Sequence, residues 1–212
     1  MRRLVKTIVL SGVDGSGKST LALILRKRLS EAEVIWFRWR ALTLYTLYFY
    51  SRLRGLYVKI YAPRIKRHVC LHVFHIDPIA KILYPYLLYV DLTLFYFLHK
   101  FLSFFKRRRL IIFDRFYLDA LVDVIHICRY IKGFILKLFI SMHMRASKAV
   151  ILDADADTAL TRKKDIISRE EVGFKRKIYL ALAKHLNIPI IDARRGLIEV
   201  TSDVHKVTQL DY

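Results

Sequence analysis

The chain has 212 residues, 55% of them apolar, enough for one domain of ordinary size with a full core. Its 38 Lys and Arg against 18 Asp and Glu give a formal net charge of +20, pointing to anionic partners: phosphorylated substrates, nucleic acid or a membrane surface. Two cysteines, Cys70 and Cys128, exclude a disulfide framework and a cysteine metal cluster and predict a reducing, cytoplasmic setting.

The run Leu4-Val5-Lys6-Thr7-Ile8-Val9-Leu10 reads as a buried strand. Gly12-Val13-Asp14-Gly15-Ser16-Gly17-Lys18-Ser19 follows, with the spacing G-x-x-x-x-G-K-S. Thr20 to Leu29 then has strong helix formers and a basic last turn. Strand, glycine loop and helix N-terminus together make an anion cradle. Backbone N–H groups converge on phosphates, the helix dipole adds to them, Lys18 reaches the β- and γ-phosphates, and Ser19 ligates Mg²⁺. Residues 12–20, Thr20 included, are therefore the candidate site for ATP.

Glu33 to Phe37 reads as a second strand ending at Arg38-Trp39-Arg40, and a long helical stretch is expected over 41–106. Leu110 to Phe113 is a third strand, ending at Asp114-Arg115; 117–146 reads as helical. Ala149 to Leu152 and Ile188 to Ile191 are the fourth and fifth strands. Continuous apolar strands separated by helices predict an α/β fold: one P-loop NTPase domain over 1–212, a three-layer arrangement of a five-stranded parallel sheet with helices on both faces, and a helical lid at 158–175. Ligands of such sheets bind beyond the carboxyl ends of the strands, where Arg38, Asp114 and Arg115 fall.

A guanine-specific GTPase needs an Asn-Lys-x-Asp motif, which the only asparagine, Asn187, does not supply. The chain instead resembles the thymidylate kinase family of nucleoside monophosphate kinases. The shared features are Gly12-Val13-Asp14-Gly15-Ser16-Gly17-Lys18-Ser19, then Asp114-Arg115-Phe116 after the third strand, and Leu152-Asp153-Ala154-Asp155 after the fourth. Ala159-Leu160-Thr161-Arg162, Arg169-Glu170-Glu171 and the helix around Arg176 and Tyr179 extend the likeness, which covers roughly 1–40 and 108–200.

The resemblance implies a role for each matched residue. Lys18 and the loop amides hold the donor phosphates, and Asp14 contacts the acceptor sugar. Arg38 and Arg115 bind the acceptor phosphate, and Asp114 helps hold the Mg²⁺ water shell with Ser19. Arg162 and Arg169 close over the transferring group, because Ser16 stands where some members carry a basic loop residue. The acceptor oxygen is already ionised, so the chemistry needs positioning and charge neutralisation and no general base. The plainer reading of Arg162, Lys163, Lys164 and Arg169 is a solvated helix face.

The middle of the chain departs from the family. Phe37-Arg38-Trp39-Arg40-Ala41 stands in place of Thr-Arg-Glu-Pro-Gly, and no arginine follows Tyr89, the residue expected to stack on the acceptor base. Ile82 to His99 carries one charge, Asp91, and as a helix would be about 27 Å long, close to a bilayer core. Burial against a homodimer partner is the reading adopted, with membrane-surface contact as its rival. Nucleic acid is not an expected partner, since no recognised binding motif is present. His68, His72 and His75 fall on one face if the segment is helical, which is metal-like spacing without a carboxylate or cysteine beside it. Lys106-Arg107-Arg108-Arg109 reads as a basic helix end.

The expected function is ATP-dependent transfer to a nucleoside monophosphate, dTMP foremost. The alternatives are a same-fold kinase with another acceptor, and a P-loop ATP-binding regulatory protein docked on a membrane or partner.

Overall fold

The computed structural model describes residues 5–29, 32–38, 42–62, 66–106, 110–166 and 168–208. In chain order the elements are β1 (Lys6–Gly12), α1 (Lys18–Arg28), β2 (Ala32–Trp36), α2 (Leu42–Leu53), β3 (Tyr57–Ala62), β4 (Arg67–His72) and α3 (Pro78–Phe105). They continue with β5 (Leu110–Asp114), α4 (Tyr117–Cys128), α5 (Gly133–His143), β6 (Lys148–Asp153), α6 (Ala156–Arg162), α7 (Arg169–Leu186), β7 (Ile190–Asp192) and α8 (Leu197–Thr208).

Five of these strands form one sheet in the order β2-β5-β1-β6-β7, with every recorded pairing parallel. Helices cover the sheet, so its central strands need apolar residues at successive positions rather than at alternate ones. Ile8, Val9 and Leu10 of β1 and Ile111, Ile112 and Phe113 of β5 accordingly lie at 2% exposure or less. Their register, Ile8 opposite Ile112 and Val9 opposite Phe113, brings the carboxyl ends of β1 and β5 level. The three-layer α/β architecture expected from the sequence is the one observed. Carboxyl ends of β1, β2 and β5 carry the glycine loop, Trp36 to Arg38, and Asp114-Arg115, so one edge of the sheet receives all three motifs.

The middle segment differs from its expected helix. Gly55, in the left-handed region (φ 64), ends α2, and β3 and β4 form a separate antiparallel hairpin before α3 begins. The run Tyr57-Val58-Lys59-Ile60-Tyr61, in which β-branched and aromatic residues predominate, favours a pleated strand over a helix. His68 and His72 therefore lie on a strand and His75 in a 3-10 turn, not on one helix face. His72 shares a 3.0 Å hydrogen bond with Ser51 Oγ and stacks on Tyr48, and no cluster of metal ligands occurs among the described residues. The stretch expected to be helical from 117 to 146 is two helices, parted at Arg129 (φ 51). Trp39, Arg40 and Arg107 to Arg109 lie outside the described residues; Lys106 pairs with Glu33 at 3.4 Å.

The lone charge of α3 has a structural use. Asp91 is 1% exposed, and its two carboxylate oxygens accept from the Thr43 and Leu44 amides at 3.2 and 3.0 Å, capping the start of α2. Asp77 caps α3 itself, accepting from the Ala80 amide at 2.7 Å. By length and composition α3 passes for a membrane span, with mean hydropathy 1.3, yet the carboxylate at its middle is committed to a neighbouring helix. Asp91→Ala strands two helix N–H groups in a closed site and is expected to cost about 2 kcal/mol. Urea unfolding checks this: the midpoint should fall while the slope stays unchanged.

Candidate phosphoryl-transfer site

The glycine loop is built by backbone geometry first. Gly15 and Gly17 take φ values of +82 and +91, in the left-handed region where side-chain-bearing residues are strained. A Cβ on Gly15 would stand 2.6 Å from the Ala159 carbonyl oxygen, so the loop rests directly on α6, the first helix of the expected lid. Behind the loop Val13 and Ser16 are buried, at 3% and 2% exposure. Lys18 opens α1, and its Nζ donates to the Gly12 and Val13 carbonyls at 2.7 Å each and to Ser16 Oγ at 3.3 Å. Burial, helped by the nearby Arg115 charge, lowers its pKa to about 8.

A second buried carboxylate, Asp119, holds this loop from below. It accepts from Ser11 Oγ at 2.7 Å, the Gly12 amide at 3.3 Å, the Phe116 amide at 2.9 Å and Tyr179 Oη at 2.8 Å. One side chain thus joins the end of β1, the start of α4 and the lid-side helix α7. Burial pushes its pKa upward, against the pull of Lys18 and Arg115. The sequence reading passed over Asp119. Its position at the third residue of a helix marks a capping role, but nothing local reveals its reach to Ser11 and Tyr179.

The loop faces a cavity of about 410 Å³. Gly15, Gly17, Lys18, Ser19 and Thr20 line it from the glycine loop and α1; Asp14, Arg38, Asp114, Arg115 and Arg162 complete it, so these candidates from the sequence lie around one cavity. Trp36 and Lys163, not expected as ligand contacts, line it too. Period-two alternation puts Trp36 and Arg38 on the cavity side and sends Phe37, 3% exposed, into an aromatic cluster with Phe95, Phe113, Phe116 and Tyr117.

Asp14 sits among the cations. Arg115, itself in the left-handed region (φ 71), donates from Nη2 to Asp14 Oδ1, and Lys163 Nζ lies 3.2 Å from the same oxygen. Burial would raise the Asp14 pKa, but Arg115, Lys18 and Lys163 together hold the carboxyl far below its ordinary range. Arg162 donates to the Ala193 carbonyl at 2.8 Å, which steadies it at the cavity wall.

The oxygens on hand suit a hard divalent cation. Ser19 Oγ donates to Asp114 Oδ2 at 2.5 Å, while Asp114 Oδ1 is buried with no hydrogen-bond partner. A hydroxyl and an unpartnered carboxylate oxygen beside a phosphate loop fit Mg²⁺, which keeps several waters and uses few protein ligands.

Gly12, with Val13 and Ser16 behind the loop, does not line the cavity, and two further expected residues stand elsewhere. Arg169 forms a bidentate pair with Asp157, at 2.5 and 2.7 Å, on the exposed side of the α6–α7 segment, away from the cavity wall. Tyr89 packs on Tyr117 and Phe139, with ring centroids 6.0 and 5.4 Å away, and does not line the cavity.

No protein-family model matches the chain, and no curated protein matches it. Solved structures do. A thymidylate kinase from Ehrlichia chaffeensis is 16% identical over 96% of this chain and 98% of its own, with a TM-score of 0.59. Deoxyadenosine kinase from M. mycoides with bound dATP is 16% identical over 97% and 100%, with a TM-score of 0.54. The same enzyme with the products dCMP and dCDP is 17% identical, covers 96% and 100%, and scores 0.51. The chain has the fold shared by these P-loop nucleoside and nucleotide kinases.

Proposed function

We propose that the protein transfers a phosphoryl group from ATP to a nucleoside monophosphate, with dTMP the foremost acceptor. One observation carries this reading: the cavity gathers Lys18, Arg38, Arg115, Arg162 and Lys163, while its Asp14 carboxylate is held ionised by two cations. A carboxylate so stabilised is a weak base, and Asp114, the other carboxylate of the cavity, is the one assigned to Mg²⁺, so an acceptor hydroxyl would find no free base. A phosphate acceptor brings its own ionised oxygen and needs only positive charge and alignment.

In this account Lys18 and the loop amides hold the β- and γ-phosphates, since the first N–H groups of α1 have no acceptor within the helix. Arg38 and Arg115 hold the acceptor phosphate, and Arg162 and Lys163 neutralise charge on the group in flight. Mg²⁺, held by Ser19 and Asp114, would neutralise charge on the β- and γ-phosphate oxygens. Trp36, 56% exposed at the cavity mouth, replaces Tyr89 as the aromatic available to a base. Arg169 serves the lid by bracing α7 on α6. The homodimer expected from the sequence would use the apolar stripe of α3 that includes Val90, Leu94, Phe97 and Phe101, each at 45% exposure or more.

A nucleoside acceptor is the second reading, favoured by the structural likeness to the deoxyadenosine kinases. Incubation with ATP and single acceptors, monophosphates against their parent nucleosides, separates the two. The monophosphate reading expects diphosphate product from dTMP, no product from thymidine, and loss of about a thousandfold or more in Lys18→Ala. Conversion of nucleosides alone would support the second reading.

Lys18 also makes ATP binding proton-linked. With its pKa lowered to about 8, Lys18 is partly neutral in that pH range, and phosphate anions would draw the proton back on. Binding is therefore expected to take up part of a proton at pH 8 and to weaken as pH rises further. Calorimetry in two buffers of different ionisation heat reads that uptake directly, and Lys18→Ala should abolish it.

A further inference from the structure

We propose that the β3–β4 hairpin docks on the surface of an anionic lipid bilayer. Two strands alone are marginal in water, and no third strand extends this pair among the described residues. Residues directly opposite in an antiparallel pair share a face, so the register sorts the hairpin into two sides. Val58 opposite Leu71 and Ile60 opposite Val69 make an aliphatic side. Tyr57 opposite His72, Lys59 opposite Cys70, and Tyr61 opposite His68 make the other. Neither side is fully covered: Val58 is 46% exposed, Ile60 38% and Tyr61 52%. Directly after β4, Ile76 and Ile79 are 63% and 53% exposed and lengthen the apolar surface toward the start of α3.

Charge identifies the occupant. Between Glu33 and Asp77 the sequence has eight Lys and Arg residues and no carboxylate. Asp77 is itself buried and occupied as the cap of α3. Lys59, Lys66 and Arg67 are all exposed on or beside the hairpin. A second copy of this chain would bring like charge to like charge. Nucleic acid matches the cations but has no use for an aliphatic side of Val58, Ile60, Val69 and Leu71. A bilayer carrying anionic headgroups matches both: Arg67, which shares the aliphatic side through its pairing with Ala62, meets lipid phosphates while the aliphatics beside it enter the acyl boundary, and the long Lys59 side chain reaches headgroups from the other side. This docking is independent of the acceptor and leaves the kinase reading untouched if it fails.

Flotation of the full chain with vesicles of phosphatidylcholine, with and without phosphatidylserine, tests the proposal. The protein is expected to float with the serine-containing vesicles, to stay behind with phosphatidylcholine alone, and to lose binding as salt rises. Lys59→Glu with Arg67→Glu should weaken binding by at least about fivefold per residue. Val58→Ser with Ile60→Ser should weaken it as well, whereas Leu94→Ser on α3 should not. ATP binding by the charge-reversed variant confirms that it is folded. Absence of flotation, flotation indifferent to the charge reversals, or tighter hairpin-dependent binding to short RNA would each overturn the proposal. So would a hairpin-dependent dimer that ignores vesicles.

Discussion

The ion pair of Asp14 with Arg115, shared with Lys163, is the contact on which the rest of the site depends. Lys18, Arg38, Arg115, Arg162 and Lys163 line one cavity and repel one another across it, and Asp14 is the anion paired directly with two of them. Arg115 is held for this contact by a left-handed backbone at the end of β5, and its amide bonds the Leu10 carbonyl at 3.0 Å. Conformations of that kind persist only where surrounding structure over-determines them. Here the support is the pairing of β1 with β5 beneath and the aromatic cluster around Phe116 beside it.

Behind the ion pair the loop is fastened twice. Lys18 turns back onto the carbonyls of its own loop, and Asp119 ties the end of β1 to α4 and α7. Both are buried charged groups, costly unless hydrogen-bonded, and both have their partners supplied by backbone and hydroxyl groups. Lys18 carries part of that cost: burial, with the Arg115 charge beside it, lowers its affinity for its proton.

Motifs whose chemistry is local were readable from the chain. The glycine loop, Asp114-Arg115 and Arg38 lie at strand ends, and a parallel sheet brings strand ends together whatever the intervening segments do. Arg162 came only with the resemblance to the kinase family, since it ends α6 rather than a strand. Lys163, one residue on, looked like part of a wet helix face because its partner, Asp14, is 149 residues away. Trp36 was taken as strand, and only the alternation with Phe37 shows which side it serves. The hairpin reads as helix in the sequence because its length and apolar content suit either, and only Gly55 and the β-branched residues of β3 favour strand. In the sequence Asp91 stands only as the lone charge of a long apolar stretch, since no sequence rule links a residue on α3 to the first turn of α2.

The central claim is that a single cavity holds donor and acceptor phosphates together. Binding of a bisubstrate compound, adenosine joined through five phosphates to thymidine, measures this most directly beside ATP alone. The account expects the joined compound to bind at least about a hundredfold tighter than ATP, as linking two half-sites allows. Arg38→Ala and Arg115→Ala should lower its affinity toward that of ATP. Affinity no better than ATP, unchanged in those two variants, would contradict a joint site and leave only a donor pocket.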